Sequence, residues 1–120
     1  MSDRSDANTH FEFVRTTVDT FVKWDVVTYF HNNPHAADTA ENIARVTGRE
    51  AHEVETNLPD LVNAGVLESR AAGLTRLYCL TDTPDRRQEV AAFVAACADR
   101  DFRAQVIKKV IDVMGRAQRS

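Results

Sequence analysis

The sequence predicts a mainly α-helical fold that carries one small β-hairpin. Three observations predict this class. Apolar residues recur at helical spacing over most of the chain. Glycines at 48 and 65 follow two short helical segments, and one stretch rich in β-forming residues lies at 66–81. With 120 residues, of which 43% are hydrophobic and 28% charged, the chain has the size and composition of a single globular domain.

The first helical pattern extends from Phe11 to about Asn32. Its apolar residues recur every four positions, as on one face of a helix: Val14, Val18, Val22, Val26 and Phe30. The pattern fits either one long helix or two helices, with Trp24 and Asp25 as the place of a bend. Residues 1–10 precede it and are mostly polar, so we expect them to form a flexible tail.

Two shorter helices come next. Asp38 and Glu41 have the spacing of a capping box, which predicts a helix from residue 39 to about 47. A second helix is expected over residues 50–64, where one face is apolar: Val54, Leu58, Leu61 and Val62. Pro59 lies inside this pattern. Because the apolar period continues past it, we expect a kinked helix rather than a broken one.

A hairpin and two further helices complete the chain. Residues 66–70 and 74–81 predict two strands joined by a turn at 71–73, and Pro84 begins the next helix. The last helix carries a strong apolar set: Phe102, Val106, Ile107, Val110 and Met114. A small core covers such a set only partly, so we expect it to form a homodimer interface. Packing of the two terminal helices on each other within one chain is the alternative.

The order of these elements, from helix and short capped helix through glycine turn and second helix to hairpin, is that of a winged helix-turn-helix. The stretches TAENIA (39–44), AGVLE (64–68) and LYCLT (77–81) resemble the winged-helix transcription regulators, with the arsenic-repressor-like (ArsR-like) and MarR-like branches nearest. The similarity spans about residues 21–83. We expect a winged helix-turn-helix domain over 11–83 and a C-terminal helical dimerisation extension over 84–120.

This resemblance implies a DNA-binding function. In such regulators the second helix of the pair enters the major groove and the hairpin forms a wing beside it. Carried onto this sequence, the DNA-facing residues are Arg45, Arg49, His52, Glu53, Thr56, Asn57, Arg70 and Arg76. Arginine can pair with guanine, and asparagine with adenine, through two hydrogen bonds each. The expected protein is a homodimeric, cytoplasmic regulator of transcription that binds duplex DNA.

The charge distribution points to an alternative. The chain has 15 basic and 18 acidic residues, and its net charge is −3. The helix at 50–64 contains four acidic residues (Glu50, Glu53, Glu55 and Asp60) and neither Lys nor Arg. Carboxylates repel phosphates and release no counterions. A winged-helix module that binds a protein partner through this acidic helix, and does not bind DNA, is therefore the second hypothesis.

Other classes of function find little support in the sequence. It contains no H-E-x-x-H, C-x-x-C, glycine-rich phosphate loop or G-x-S-x-G motif, so we expect no enzyme, no cofactor and no metal. His31 and His35 straddle a turn near Asp38, but solvent-exposed turn histidines are far commoner than metal ligands. Cys79 and Cys97 fit reduced thiols of a cytosolic protein. No apolar run approaches the length of a membrane span.

Overall fold

The computed structural model describes the backbone of residues 3–119 and the side chains of residues 8–116. Within these ranges it contains six helices and a three-stranded antiparallel sheet. The elements are α1 (Asp3–Thr16), α2 (Phe21–Asn32), β1 (Ala37–Asp38), α3 (Ala40–Thr47), α4 (Ala51–Asn63), β2 (Leu67–Ala72), β3 (Thr75–Leu80), α5 (Pro84–Ala96) and α6 (Arg100–Arg119). The mainly helical fold class with a β-hairpin is confirmed.

The N-terminal region differs from the prediction in two ways. Residues 3–10, expected to be a tail, belong to α1. The side chain of His10 packs there, with its ring centroid 5.5 Å from that of Phe102. The long helical pattern is also two helices, and the break lies at residues 17–20 rather than at Trp24 and Asp25. Thr20 starts α2 because its hydroxyl accepts a hydrogen bond from the backbone N–H of Lys23 at 3.1 Å.

The helix pair α3 and α4 forms as expected, with one change at its start. The cap of α3 is Thr39, whose hydroxyl accepts from the Asn42 backbone N–H at 3.2 Å. Asp38 lies in β1 instead, and its carboxylate accepts from the Asn42 side-chain amide at 2.6 Å. Gly48 ends α3 with φ +73°, a conformation that costs a glycine little. The α4 helix continues through Pro59.

The sheet has the strand order β1-β3-β2. Strand β1 is two residues long, too short for any sequence pattern to indicate. In the wing, Ala72 pairs with Thr75, so the turn is Gly73-Leu74 and not residues 71–73. Gly73 has φ +66° at the first of the two loop positions, the place where a type II′ turn requires glycine. Leu74 is therefore at the tip of the wing and is fully exposed.

One hydrophobic core joins all six helices. Leu58 and Leu61 of α4 are completely buried in it, as are Val106 and Val110 of α6. The expectation that the α6 row lies between two chains is therefore wrong for these two valines, and Phe102 and Met114 are partly buried against the same core. The reason is the length of α1, which supplies a packing partner for α6 within the chain.

Candidate nucleic-acid interface

The outward face of α4 is polar and acidic. Its buried face carries Val54, Leu58 and Leu61, which press the helix against the core. The opposite side presents a set of exposed residues: His52, Glu53, Glu55, Thr56, Pro59, Asp60 and Asn63. Three of the seven carry a carboxylate and none a permanent positive charge. This face has the accessibility of a recognition helix, but its charge does not attract phosphate.

A buried lysine neutralises part of that charge. The Lys23 ammonium of α2 donates to Asp19 at 2.6 Å and to Asp60 of α4 at 2.9 Å. Burial lowers the pKa of Lys23, but the hydrogen bonds to the two carboxylates outweigh it and raise the pKa above its ordinary value. The lysine is therefore charged at neutral pH, and it ties the C-terminal half of α4 to α2.

Two residues predicted to contact DNA are hydrogen-bonded to α2 or to its N-cap. The Arg49 guanidinium donates to the Asp25 carboxylate of α2 at 2.7 Å. The Asn57 amide oxygen accepts from the Thr20 hydroxyl at 2.9 Å, and its NH₂ group donates to the Glu53 carbonyl at 2.7 Å. Together with Lys23, these bonds fix the orientation of α4. Arg49 and Asn57 can bind a base only after giving up these partners.

The first turn of α4 is organised by its own acids. Glu50 is the N-cap, and the Glu53 side chain accepts from the Glu50 backbone N–H at 3.4 Å, which completes a capping box. Both carboxylates lie at the positive end of the helix dipole. One turn later, the Thr56 hydroxyl donates to the His52 carbonyl at 2.9 Å. The acids at 50 and 53 therefore stabilise the helix, whatever binds to it.

The two wing arginines lie on opposite faces of the hairpin. In the β2–β3 register Arg70 is opposite Leu77, whereas Arg76 is opposite Ala71, and successive residues of a strand point to opposite faces. Arg76 donates to the Ser69 hydroxyl at 3.2 Å. It also lines a cleft between the wing and the second half of α4, together with Pro59, Val62, Asn63, Ser69 and Tyr78. Of these two arginines, only Arg76 therefore lies on the face of the hairpin that is beside α4.

Arg45 is the remaining predicted basic contact. It is exposed on α3, where its guanidinium donates to the side chain of Asn42. Among the described residues, Arg45, Arg70 and Arg76 have no carboxylate partner within 4.0 Å, whereas Arg49 has one. Three of the four predicted arginines thus present an unpaired charge, but the sequence pattern did not show which faces they occupy.

The candidate metal ligands do not come together. Within the described part of the chain, no three His, Cys, Asp or Glu side chains are placed to hold a metal ion. Asp38 accepts a hydrogen bond from the Tyr29 hydroxyl, which raises the pKa of Tyr29 to about 12. The described helices also include none that is both long and apolar enough to cross a membrane.

Comparison with known proteins supports the fold. No family model matches the chain, and no curated protein sequence does. Among solved structures, the chain is similar to the homodimeric winged helix-turn-helix DNA-binding domain of a possible ArsR-family transcriptional regulator from Mycobacterium bovis. The TM-score is 0.55 at 18% identity, over 83% of this chain and 90% of that one. The chain therefore has a winged helix-turn-helix fold, as its sequence predicted.

Proposed function

We propose that this protein is a homodimeric transcription regulator that binds duplex DNA through α4 and the wing. The observation that carries the proposal is the placement of Arg76 beside the exposed side of α4, in a fold shared with a domain described as DNA-binding. Thr56 and His52 lie on that side and can contact the groove, and Arg45 and Arg76 can contact phosphates.

The binding must be weak and strongly dependent on these few arginines. Each phosphate neutralised lowers the slope of log K against log salt by about 0.9. A dimer that used Arg45 and Arg76 in each chain would neutralise about four phosphates and give a slope of about −4, shallower than that of a strongly basic repressor. The acidic residues of α4 further reduce the affinity, because they repel the backbone they approach.

Two substitutions test this interface by fluorescence anisotropy with mixed genomic DNA fragments at several salt concentrations. Arg76→Ala should weaken binding and flatten the slope by about one unit per chain. Glu53→Gln should tighten non-specific binding, since it removes a charge that repels phosphate. Glutamine can still accept at the capping position, so the helix start is preserved.

Arg15→Ala is the matched control, because Arg15 is an exposed arginine of α1 whose ion pair is with Glu12 of the same helix. It should leave both affinity and slope unchanged. If neither the wild type nor Glu53→Gln binds the DNA fragments at about 50 mM salt, the proposal that this protein binds DNA is wrong. The acidic face of α4 would then be the surface to test for a protein partner.

We propose that two copies of the chain pair through the side of α6 that is not covered by the rest of the same chain. Ile111 remains 57% exposed, and Met114 is only partly buried. They are three positions apart, so they lie on one side of the helix. A two-fold pairing of this surface would bury both residues. Analytical ultracentrifugation should give a dimer at micromolar concentration, and a monomer at all accessible concentrations would exclude it.

A further inference from the structure

The tip of the wing carries a leucine whose side chain is fully exposed. Leu74 is the second residue of the two-residue turn between β2 and β3. A Cβ at the adjacent Gly73 would meet no atom within 4 Å, so the tip stands clear of the rest of the described chain. A single exposed leucine is ordinary on a protein surface, but the residues around Leu74 give it a specific setting.

The neighbours of Leu74 keep the tip narrow. Ala71, Ala72 and Gly73 carry at most a methyl group, and Thr75 follows on the other side of the turn. The tip therefore has one large apolar side chain at its end and small residues behind it, which is the shape of a wedge. The minor groove of B-DNA is about 6 Å wide and about 7.5 Å deep, so it admits a tip of this kind.

Two arginines flank the tip, one on each face of the hairpin. Counted from the turn, Arg76 belongs to the second residue pair of the ladder and Arg70 to the third. They are the charged residues of the segment 69–77, which therefore has a charge of +2, whereas the segment 50–64 carries four carboxylates and neither Lys nor Arg. The positive charge of the proposed interface is thus concentrated near the tip of the wing.

We propose that the wing tip enters the minor groove of duplex DNA and that Leu74 inserts between two base pairs as an apolar wedge. This inference rests on the proposed DNA-binding function and specifies how the wing takes part in it. Apolar side chains inserted from the minor groove partly unstack a base step and bend the duplex. Arg70 and Arg76 then contact phosphates of opposite strands, which holds the tip in the groove.

The wedge gives the protein a sequence preference that needs no hydrogen bond to a base. Pyrimidine–purine steps such as TA are easily unstacked, whereas A-tracts are stiff and have a narrow minor groove that attracts arginine. A·T and T·A pairs present the same acceptors in the minor groove. A wing that used only its arginines would therefore prefer an A-tract, and a wing that inserts Leu74 prefers a duplex with TA steps.

The test compares two duplexes of about 30 base pairs, one with alternating A and T and the other an A-tract. Fluorescence anisotropy with the full chain at about 50 mM salt should show about tenfold tighter binding to the alternating duplex, because only that duplex contains TA steps. 2-Aminopurine in place of adenine at several TA steps should brighten on binding, since unstacking relieves the quenching of its fluorescence.

Leu74→Ser removes the wedge and should not disturb the fold, because the side chain is fully exposed. It should abolish the preference for TA steps and the 2-aminopurine signal, and should change the affinity for the A-tract by less than about twofold. Leu74→Phe keeps an apolar wedge and should retain both. Val46→Ser is the matched control, because it removes an apolar side chain that is 50% exposed on α3. It should leave the preference and the signal unchanged.

Arg70 provides an independent readout, because it lies on the face of the hairpin away from α4. Only a tip inside the groove brings Arg70 as well as Arg76 to a phosphate. Arg70→Ala should therefore flatten the slope of log K against log salt on the alternating duplex by about 0.9 per chain. An unchanged slope would overturn insertion of the tip.

The outcomes separate the wedge from DNA binding itself. If the wild type binds neither duplex, the proposed DNA-binding function is wrong, and the wedge with it. Equal binding of the two duplexes, tighter binding of the A-tract, or a preference for TA steps that persists in Leu74→Ser would overturn the wedge and leave DNA binding in place. If the wild type sediments as an assembly larger than a dimer and Leu74→Ser does not, Leu74 contacts another copy of the chain, and the proposal is again wrong.

Discussion

Helices α4 and α6 have similar amphipathic patterns, but their outward faces differ in the contacts they make with the rest of the chain. Each buries its apolar face in the same core, with Leu61 and Val110 completely inaccessible. The outward face of α4 is bound by polar contacts to the rest of the chain, through Asp60 to Lys23 and through Asn57 to Thr20. The outward face of α6 instead leaves Ile111 more than half exposed.

This difference assigns different roles to the two helices. The orientation of α4 is fixed by the bonds from Asp60 to Lys23 and from Asn57 to Thr20. These bonds are partly buried, and hydrogen bonds require a specific geometry. Helix α6 instead leaves the apolar side chain of Ile111 exposed, and we propose that a second copy of the chain covers it. On the proposed function, the polar helix is positioned in advance for a ligand, whereas the apolar one completes its packing by association.

The largest effect should come from the buried face of α4. Leu61→Ala should lower the free energy of unfolding by about 2–5 kcal/mol, because it leaves a cavity in a close-packed core. Asn63→Ala, an exposed substitution in the last turn of the same helix, should change it by less than about 0.5 kcal/mol. Urea denaturation measures both. A similar small loss for the two variants would contradict the packing of α4 on the core.

The polar anchor of α4 should contribute less than its apolar face. Lys23→Met should cost about 1–2 kcal/mol, because two carboxylates lose their shared cation while remaining partly solvated. If this variant is as stable as the wild type at neutral pH, the polar bonds of Lys23 do not hold α4 in place, and the contrast drawn between α4 and α6 is wrong.

The contribution of Lys23 also has a defined pH dependence. Its pKa is raised in the folded protein above the ordinary value of 10.5, so folding favours the protonated form. The stabilisation is complete below about pH 10 and is lost as the pH rises through the folded-state pKa. The difference in unfolding free energy between wild type and Lys23→Met should therefore shrink as the pH rises above about 10. A difference that grows with pH would contradict the assigned ion pair.

For α6 the expected effect is on association rather than on folding. Ile111→Glu should raise the dimer dissociation constant about tenfold or more, because it places a charge in an apolar contact. Gln105→Glu introduces a carboxylate elsewhere on the same helix and should leave the constant nearly unchanged. Sedimentation equilibrium distinguishes them. Equal effects would mean that the dimer surface lies elsewhere.

The smallest effect on stability is expected at Glu55 of α4. It is exposed, and no hydrogen bond or ion pair holds its side chain among the described residues, unlike Glu53. Glu55→Gln should change the unfolding free energy by less than about 0.5 kcal/mol and should still tighten non-specific DNA binding. A clear loss of stability, measured by the same urea denaturation, would show that Glu55 has a structural role.

Most of the helices and the wing could be predicted from the sequence because their signals are local. The α3–α4 pair followed from apolar spacing and from Gly48, whose φ of +73° ends α3. The candidate site was predicted less completely. The resemblance to winged-helix regulators predicts that Arg49 contacts DNA, but no local pattern indicates its ion pair with Asp25, which lies 24 residues earlier. The opposite faces of Arg70 and Arg76 required the strand register, which depends on where the turn falls.

The sequence alone determined most of the helical segments, the buried face of α4 and the place of the acidic helix, because periodicity and end-capping act over a few residues. Only the tertiary structure decided which polar side chains have a hydrogen-bond or ion-pair partner within the described part of the chain. Whether α6 packs on α1 or on a second chain depended on the full length of α1, and the partner of each charge depended on contacts distant in sequence. Such pairings arise from the packing of whole elements, and no local pattern encodes them.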